Sequence, residues 1–358
     1  MIHAKNLLRE CFARYVHTKA IKRLESFRVN FHTQEERKVL LPLSFGVSST
    51  TLLHILDLHL RTQKGKTGRT GFTLSILAVE SPDSTLPTAD LLERVRKQYP
   101  DYEYAALPLH HVFDIVPDDA QLRKLVSGSR NGQSLTRQGQ LAQLINSLTS
   151  ATARADVLST LRTRLIVEHA KVAGCQSILW GDSTTTLAEK TLAETCKGRG
   201  FSLPWQVADG MSPSGVYFHY PLRDVLKKEL VSYIDLADPE LASLVDEPSP
   251  GATQASTSSK NTTIDDLMKQ YFESVEENFP SIVSNVVRTS GKLEVASGAT
   301  SDPHCGLCDM PVAGGRFGIH GWGGYQQTDG NAPAETRRNV CYGCTRSLPH
   351  SATGIDSL

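Results

Sequence analysis

The chain has no surplus of either charge. Of its 358 residues, 38 are Lys or Arg and 38 are Asp or Glu, so the formal net charge is zero. That excludes a polybasic protein held to nucleic acid by bulk charge and leaves room only for a local basic face. No apolar run approaches the roughly 18 residues of a membrane span. The opening MIHAKNLLRECFARYV lacks the uninterrupted apolar core of a signal peptide. The expectation is a soluble cytoplasmic protein that does not touch a membrane. Cysteines are few and odd in number, seven in all, which argues against a disulfide scaffold. With 39% hydrophobic and 21% charged residues, the composition is globular rather than disordered. The length allows one large or two to three small domains.

What is present is ordered along the chain. Residues 1–38 read as helical and basic, with nine Lys/Arg against four Asp/Glu and with Phe12, Tyr15, Phe27 and Phe31 interleaved. This stretch is either an amphipathic helix with a solvated basic side or an arm that contacts phosphates through Arg14, Lys19, Lys22 and Arg23. An α/β pattern follows. KVLLPLSFG, FTLSILAV, EYAALPL and SILWG read as buried strands. Helices are expected from Ser48 to Leu60, Thr88 to Gln98, about Arg154 to Val172 and about Thr184 to Cys196. Alternation at this spacing predicts a parallel sheet. RTQKGKTGRTG reads as a basic, Gly-rich loop, and 127–140 as a polar loop. Residues 248–263 hold eight Ser/Thr and two Pro with no periodicity, the composition of a linker. A short helix is expected around Asp265 to Val275. The expected divisions are an arm at 1–37, an α/β domain at 38–247, a linker at 248–263, a helical connector at 264–300 and a module at 301–358.

Three segments carry chemistry. LPLSFGVSSTTLL puts Ser44, Gly46, Ser48 and Ser49 at a turn from strand to helix, where backbone amides and the positive helix end can hold a phosphate. An ordinary helix cap by Ser48 or Ser49 fits the same residues. Gly181 and Asp182 open a second strand-to-helix turn, followed by Gly198-Arg199-Gly200. Arg199 could pair bidentately with phosphate or be a solvated loop residue. Finally, Cys305-x-x-Cys308 and Cys341-x-x-Cys344 are separated by 32 residues. Two such knuckles complete a closed tetrahedral four-sulfur zinc site, structural rather than catalytic.

Ser44-Phe45-Gly46-Val47-Ser48-Ser49 resembles the S-G-G-x-D-S loop of PP-loop ATP pyrophosphatases. It departs at two positions: Phe45 replaces a glycine and Ser48 an acid. Gly181-Asp182-Ser183-Thr184-Thr185-Thr186 resembles the G-H-N-x-D-D segment of tRNA-thiolating PP-loop enzymes, without the paired acids. No CxxC stands near Arg164, where those enzymes carry one. Together with ECFARYVHTKAIKRL, KGRGFSLPW and PLRDVLKKELVSY, these segments make most of the chain similar to the cytoplasmic tRNA 2-thiolation protein 2 family.

The resemblance implies a PP-loop α/β domain with a small C-terminal zinc module. It also implies a heterodimer with a catalytic thiouridylase subunit. That complex would make 2-thiouridine at the wobble position (U34) of tRNAs for Lys, Glu and Gln. It would use ATP with Mg²⁺ for adenylation and sulfur from a thiocarboxylated ubiquitin-like carrier. Family members carry further cysteines ahead of the one matching Cys11, so a shortened start without an N-terminal zinc site is expected. Without acid or clustered thiol, this subunit is expected to act as scaffold and tRNA-binding partner. The competing expectations are an ATP-using sulfurtransferase and a zinc-ribbon interaction module with no tRNA role.

Overall fold

The apolar runs become strands of one twisted sheet in a computed structural model of the chain. It describes residues 2–27, 37–80, 87–116, 122, 135–237, 239–246, 262–295, 301–318 and 339–349. A helix, α1 (Ile2–Lys22), precedes the sheet. Strand β1 (Lys38–Pro42) leads into α2 (Val47–Thr67), β2 (Thr73–Glu80), α3 (Thr88–Gln98) and β3 (Glu103–Pro108). The chain then returns through α4 (Arg137–Ser147) and α5 (Ala151–Val172) to β4 (Ser177–Leu179) on the other side of β1. Helix α6 (Thr184–Cys196), a two-residue β5 (Gly210–Met211) and β6 (Tyr217–His219) follow. The strand order is β3-β2-β1-β4-β6-β5, parallel except for β5. The order reverses between β1 and β4. In open α/β sheets, ligand sites form outside the carboxyl ends of the strands at such a reversal.

Both sheet faces are covered, as the continuous apolar strands require. Val39, Leu41, Ile76 and Ala78 point to one side, where they join α1, α2, α3 and α7 (Lys227–Ala237). Leu40, Leu77 and Ile178 point to the other, against α5, α6, α8 (Ile264–Asn278) and α9 (Pro280–Ser290). A third cluster joins α4 and α5 to the C-terminal segment. Val157, Leu161 and Leu165 pack with Cys305, Leu307, Val340 and Cys344 there. The last described helix is α10 (Tyr342–Ser347).

The elements differ from expectation in two places. The basic stretch after Leu60 continues as helix to Thr67. It stops only at Gly68, whose φ of 75° lets its N–H reach back to the Lys64 carbonyl. The C-terminal part of the expected polar loop, from Arg137, begins α4, capped by Thr136; positions 127–134 lie outside the described residues. The linker core at 248–261 also lies outside them.

Candidate nucleotide loop and metal centre

The loop after β1 is held by its own serines. The Ser49 hydroxyl accepts the Ser44 N–H at 3.3 Å, lies 3.0 Å from the Ser44 hydroxyl and donates to the Gly46 carbonyl at 3.3 Å. The helix cap is Gly46, not Ser48 or Ser49. Phe45, at φ 59°, occupies the left-handed region that a glycine would adopt freely. Its ring is buried, and its carbonyl accepts the Asp246 N–H at 2.8 Å.

Gly181 lies directly on the start of α2. A Cβ there would stand 2.8 Å from the Ser49 Cα. The two loop segments read from the sequence, at 44–49 and 181–182, therefore meet across the sheet reversal. Gly181→Ala is expected to force the β4 loop off α2. It should cost about 1–3 kcal/mol, the scale of overpacking a tight site, read as a lowered denaturation midpoint.

The hydroxyls that follow Gly181 serve the fold. Ser183 caps α6 by accepting the Thr186 N–H. Thr184 donates to the Arg223 carbonyl, and Thr185 donates to Glu276 on α8 while accepting the Lys227 N–H. Thr185 stands where the thiolating enzymes carry an acid, and here it ties three helices together. Beside this turn lies a cavity of about 310 Å³ lined by Trp180, Asp182, Thr186, Glu189, Tyr220 and Met310, among others. Burial pushes the Glu189 carboxyl up to about 7.

Arg199 faces inward rather than toward a phosphate. It is 2% exposed. Its guanidinium takes Asp156 bidentately, with one hydrogen bond at 2.9 Å, and takes Glu194 at 2.6 Å and 3.2 Å. Lys197 joins the cluster, 3.2 Å from Asp156, 2.8 Å from Glu194 and 2.9 Å from Asp265. Burial alone would raise the Glu194 carboxyl, but Arg199 and Lys197 outweigh it and hold the group at about 2. Asp156 is likewise lowered: burial opposes this, and the Arg199 hydrogen bonds prevail. The phosphate-pairing expectation for Arg199 is corrected on this ground, because every N–H direction of the fork is aimed at buried protein groups.

Two of the four N-terminal cations are also spoken for. Lys19 donates to the Asp224 carbonyl at 2.8 Å and lies 3.8 Å from Glu229. Arg23 pairs with Asp224 at 2.6 Å and lies 3.5 Å from Asp209. These contacts fasten α1 to the segment leading into α7. Arg14 and Lys22 are exposed.

The four C-terminal cysteines converge. Their sulfurs all lie within 4.8 Å of one another, with Cys308 Sγ 3.9 Å from Cys341 Sγ. A tetrahedral zinc with Zn–S bonds of about 2.3 Å places its sulfurs about 3.8 Å apart, so the donor set fits that ion. The Cys341 N–H donates to Cys305 Sγ, and the first knuckle closes through the Cys305 N–H to the Met310 carbonyl. Asp309 follows the first knuckle at φ 60° and meets Arg164 and His304. Arg164 also donates to the Gly306 and Leu307 carbonyls. The second knuckle sits on the Gly198–Gly200 turn. A Cβ on Gly198 would be 2.5 Å from the Tyr342 ring, and one on Gly343 would be 2.5 Å from Arg199 Cγ. Arg199 Nη1 reaches Cys344 Sγ at 3.9 Å.

The sequence profile of cytoplasmic tRNA 2-thiolation protein 2 matches residues 263–316, which run from the cap of α8 through the first knuckle. A Phaeosphaeria nodorum protein of that name is 67% identical over 360 aligned residues, covering all of this chain and 94% of its own length. The chain belongs to the cytoplasmic tRNA 2-thiolation protein 2 family. Another relative of that name, from Pyrenophora tritici-repentis, is 64% identical over 99% of this chain and 93% of its own.

The fold of this family member is also that of a solved enzyme. The U34-tRNA thiolase NcsA from Methanococcus maripaludis, solved with its [4Fe-4S] cluster, superposes with a TM-score of 0.52 over 88% of both chains at 15% identity. The expected parallel PP-loop architecture is thereby the observed one. The buried cluster around Arg199 left no signal in the sequence beyond its charges, because Asp156 lies 43 residues from its partner.

Proposed function

We propose that this chain is the non-catalytic subunit of a cytosolic complex that 2-thiolates the wobble uridine of tRNAs for Lys, Glu and Gln. It pairs with a catalytic PP-loop subunit. That partner adenylates the uracil with ATP and Mg²⁺ and receives sulfur from a thiocarboxylated ubiquitin-like carrier. This chain supplies scaffold and tRNA-binding surface. The four cysteines hold one zinc, whose contribution is to fold and anchor the C-terminal segment.

One observation carries the reading: the loop has no acid, and its Ser44 and Ser49 side chains are turned on each other. Adenylation needs oxygen ligands for the metal ion and free donors for pyrophosphate. The Ser44 N–H is given to Ser49, Ser48 stands in place of the acid, and Thr185 is bound to Glu276. Sulfur transfer needs a reactive thiolate, and the segment around Arg164 has no cysteine.

The test is reconstitution. The chain should co-purify with the catalytic subunit, and thiolation should require both. Changing Ser48 and Ser49 to Ala should leave the rate of the assembled complex within a few-fold. A drop of a hundredfold or more, about 2.7 kcal/mol of transition-state stabilisation, with assembly and tRNA binding intact would make this chain a catalyst instead.

A further inference from the structure

The four sulfurs of the metal centre are not equivalent. Cys305, Cys341 and Cys344 are buried, at most 1% exposed, whereas Cys308 is only partly covered. The difference follows from what packs on each knuckle. Cys341 caps α10 and Cys344 lies within it, and the residues between them, Tyr342 and Gly343, press on the Gly198–Gly200 turn. Cys305 is enclosed in the cluster that holds Leu307 and Val340. Cys308 stands at the far end of the first knuckle, where the cavity of about 310 Å³ begins. Cys308 and Met310 belong to its wall, together with Ser159 and Thr160 of α5 and Trp180 after β4. A space of that size takes a small molecule.

The sulfurs also differ in their hydrogen bonds. Cys305 Sγ accepts the Cys341 N–H at 3.2 Å, and Arg199 Nη1 lies 3.9 Å from Cys344 Sγ. Among the described residues no N–H donates to the sulfur of Cys308 or Cys341, and these two sulfurs face each other at 3.9 Å. A metal-bound cysteine is a thiolate. Donors that point at a thiolate lower its pKa, and its nucleophilicity falls with it. Cys308 therefore combines an open approach with a sulfur that no donor quenches. Cys341 shares the second property but is sealed.

We infer that Cys308 is a modification site of the metal centre, reached through this cavity by small electrophiles and hydroperoxides, with Cys341 as the resolving thiolate. The inference rests on the zinc assignment proposed above and is independent of the role in tRNA thiolation. With hydrogen peroxide, the Cys308 sulfur attacks one oxygen. An S–O bond forms, the O–O bond breaks, and hydroxide leaves a sulfenic acid behind. The Cys341 thiolate then attacks the Cys308 sulfur. The S–S bond forms, the S–O bond breaks, and a second hydroxide leaves. The two thiolates give up two electrons, and the peroxide takes them. The sulfurs close from 3.9 Å to about 2.05 Å. Two of the four donors are lost, and the ion is released.

The test uses the zinc-loaded full chain. Limiting N-ethylmaleimide is added and singly labelled protein is mapped by mass spectrometry, with the exposed Cys11 and Cys196 as the reference for free thiols. Among the four cysteines of the centre, Cys308 should be labelled first. Hydrogen peroxide should then produce a Cys308–Cys341 disulfide and release zinc to a chromogenic chelator in step with it. Cys308→His keeps a zinc site of three sulfurs and one imidazole and should slow that release. Labelling that starts at Cys305, Cys341 or Cys344 overturns the inference, as does a Cys308→His protein that releases zinc as fast as the unaltered one. If Cys308→His fails to hold zinc, the labelling order in the unaltered protein decides. A chain that neither carries zinc nor takes it up overturns the zinc assignment, and the inference with it.

Discussion

Changing Cys305 and Cys341 to Ser is expected to abolish metal binding and unfold the C-terminal segment. Purified protein should carry about one equivalent of zinc by metal analysis and the variant none. Free energies of about 10–16 kcal/mol accompany zinc binding by small zinc-dependent folds, so no packing interaction in this chain can make up the deficit. The damage should also spread. Cys305, Leu307 and Cys344 share a buried cluster with Val157, Leu161 and Leu165 of α5, and Ser347 donates to Asp156. Amide exchange along α5 should therefore rise in the variant and in chelator-treated protein. A metal-free chain with an unchanged melting curve would refute the zinc assignment.

The second large effect belongs to Arg199. Arg199→Ala removes the cation that both Asp156 and Glu194 face, leaving Lys197 alone with two buried carboxylates. Breaking a buried ion pair from one side costs about 3–5 kcal/mol, read as a fall in the denaturation midpoint. Arg199→Lys should recover only part, because an ammonium cannot satisfy two carboxylates with a planar fork. The pH dependence has a definite sign. Glu194 is held at about 2 in the folded chain, below its ordinary value near 4.3. Its stabilisation is complete above that ordinary value and is lost as pH falls toward 2. The unaltered protein should lose stability over that window, and Arg199→Ala should lose less. Equal acid sensitivity in the two proteins would contradict this account.

The parts legible in the sequence were those whose cause is local. LLPLSFG and FTLSILAV are apolar on both faces, as a strand covered on both sides requires, and their alternation with helical segments marks the sheet as parallel. The CxxC pairs announce their geometry in their spacing, and sulfurs within 4.8 Å of one another agree with it. Other parts were misread. Gly65 and Gly68 break the helical pattern of RTQKGKTGR, yet α2 runs on to Thr67 as an exposed end, closed by the Gly68 N–H on the Lys64 carbonyl and by Gln63 accepting the Gly71 N–H. The short helix expected at Asp265 to Val275 is α8, and a second helix, α9, follows it in the connector from Pro280, after the single residue Phe279. Arg199 read as a loop cation because its carboxylate partners lie on two helices. Lys19 and Arg23 read as an arm because Asp224 is about 200 residues away.

The packing of the Gly198–Gly200 turn against the second knuckle sets an order in time. Asp156, Glu194, Lys197 and Arg199 leave the ribosome first, whereas Cys344 and Ser347, which close over them, come about 150 residues later. At about 5–20 residues per second, the gap is on the order of 7–30 s. Throughout it the charged floor under the knuckle faces water and the part of α5 that Leu307, Val340 and Cys344 cover is bare. A nascent chain of this protein is thus at its most sticky midway through synthesis, and the arrival of the final cysteine ends that exposure.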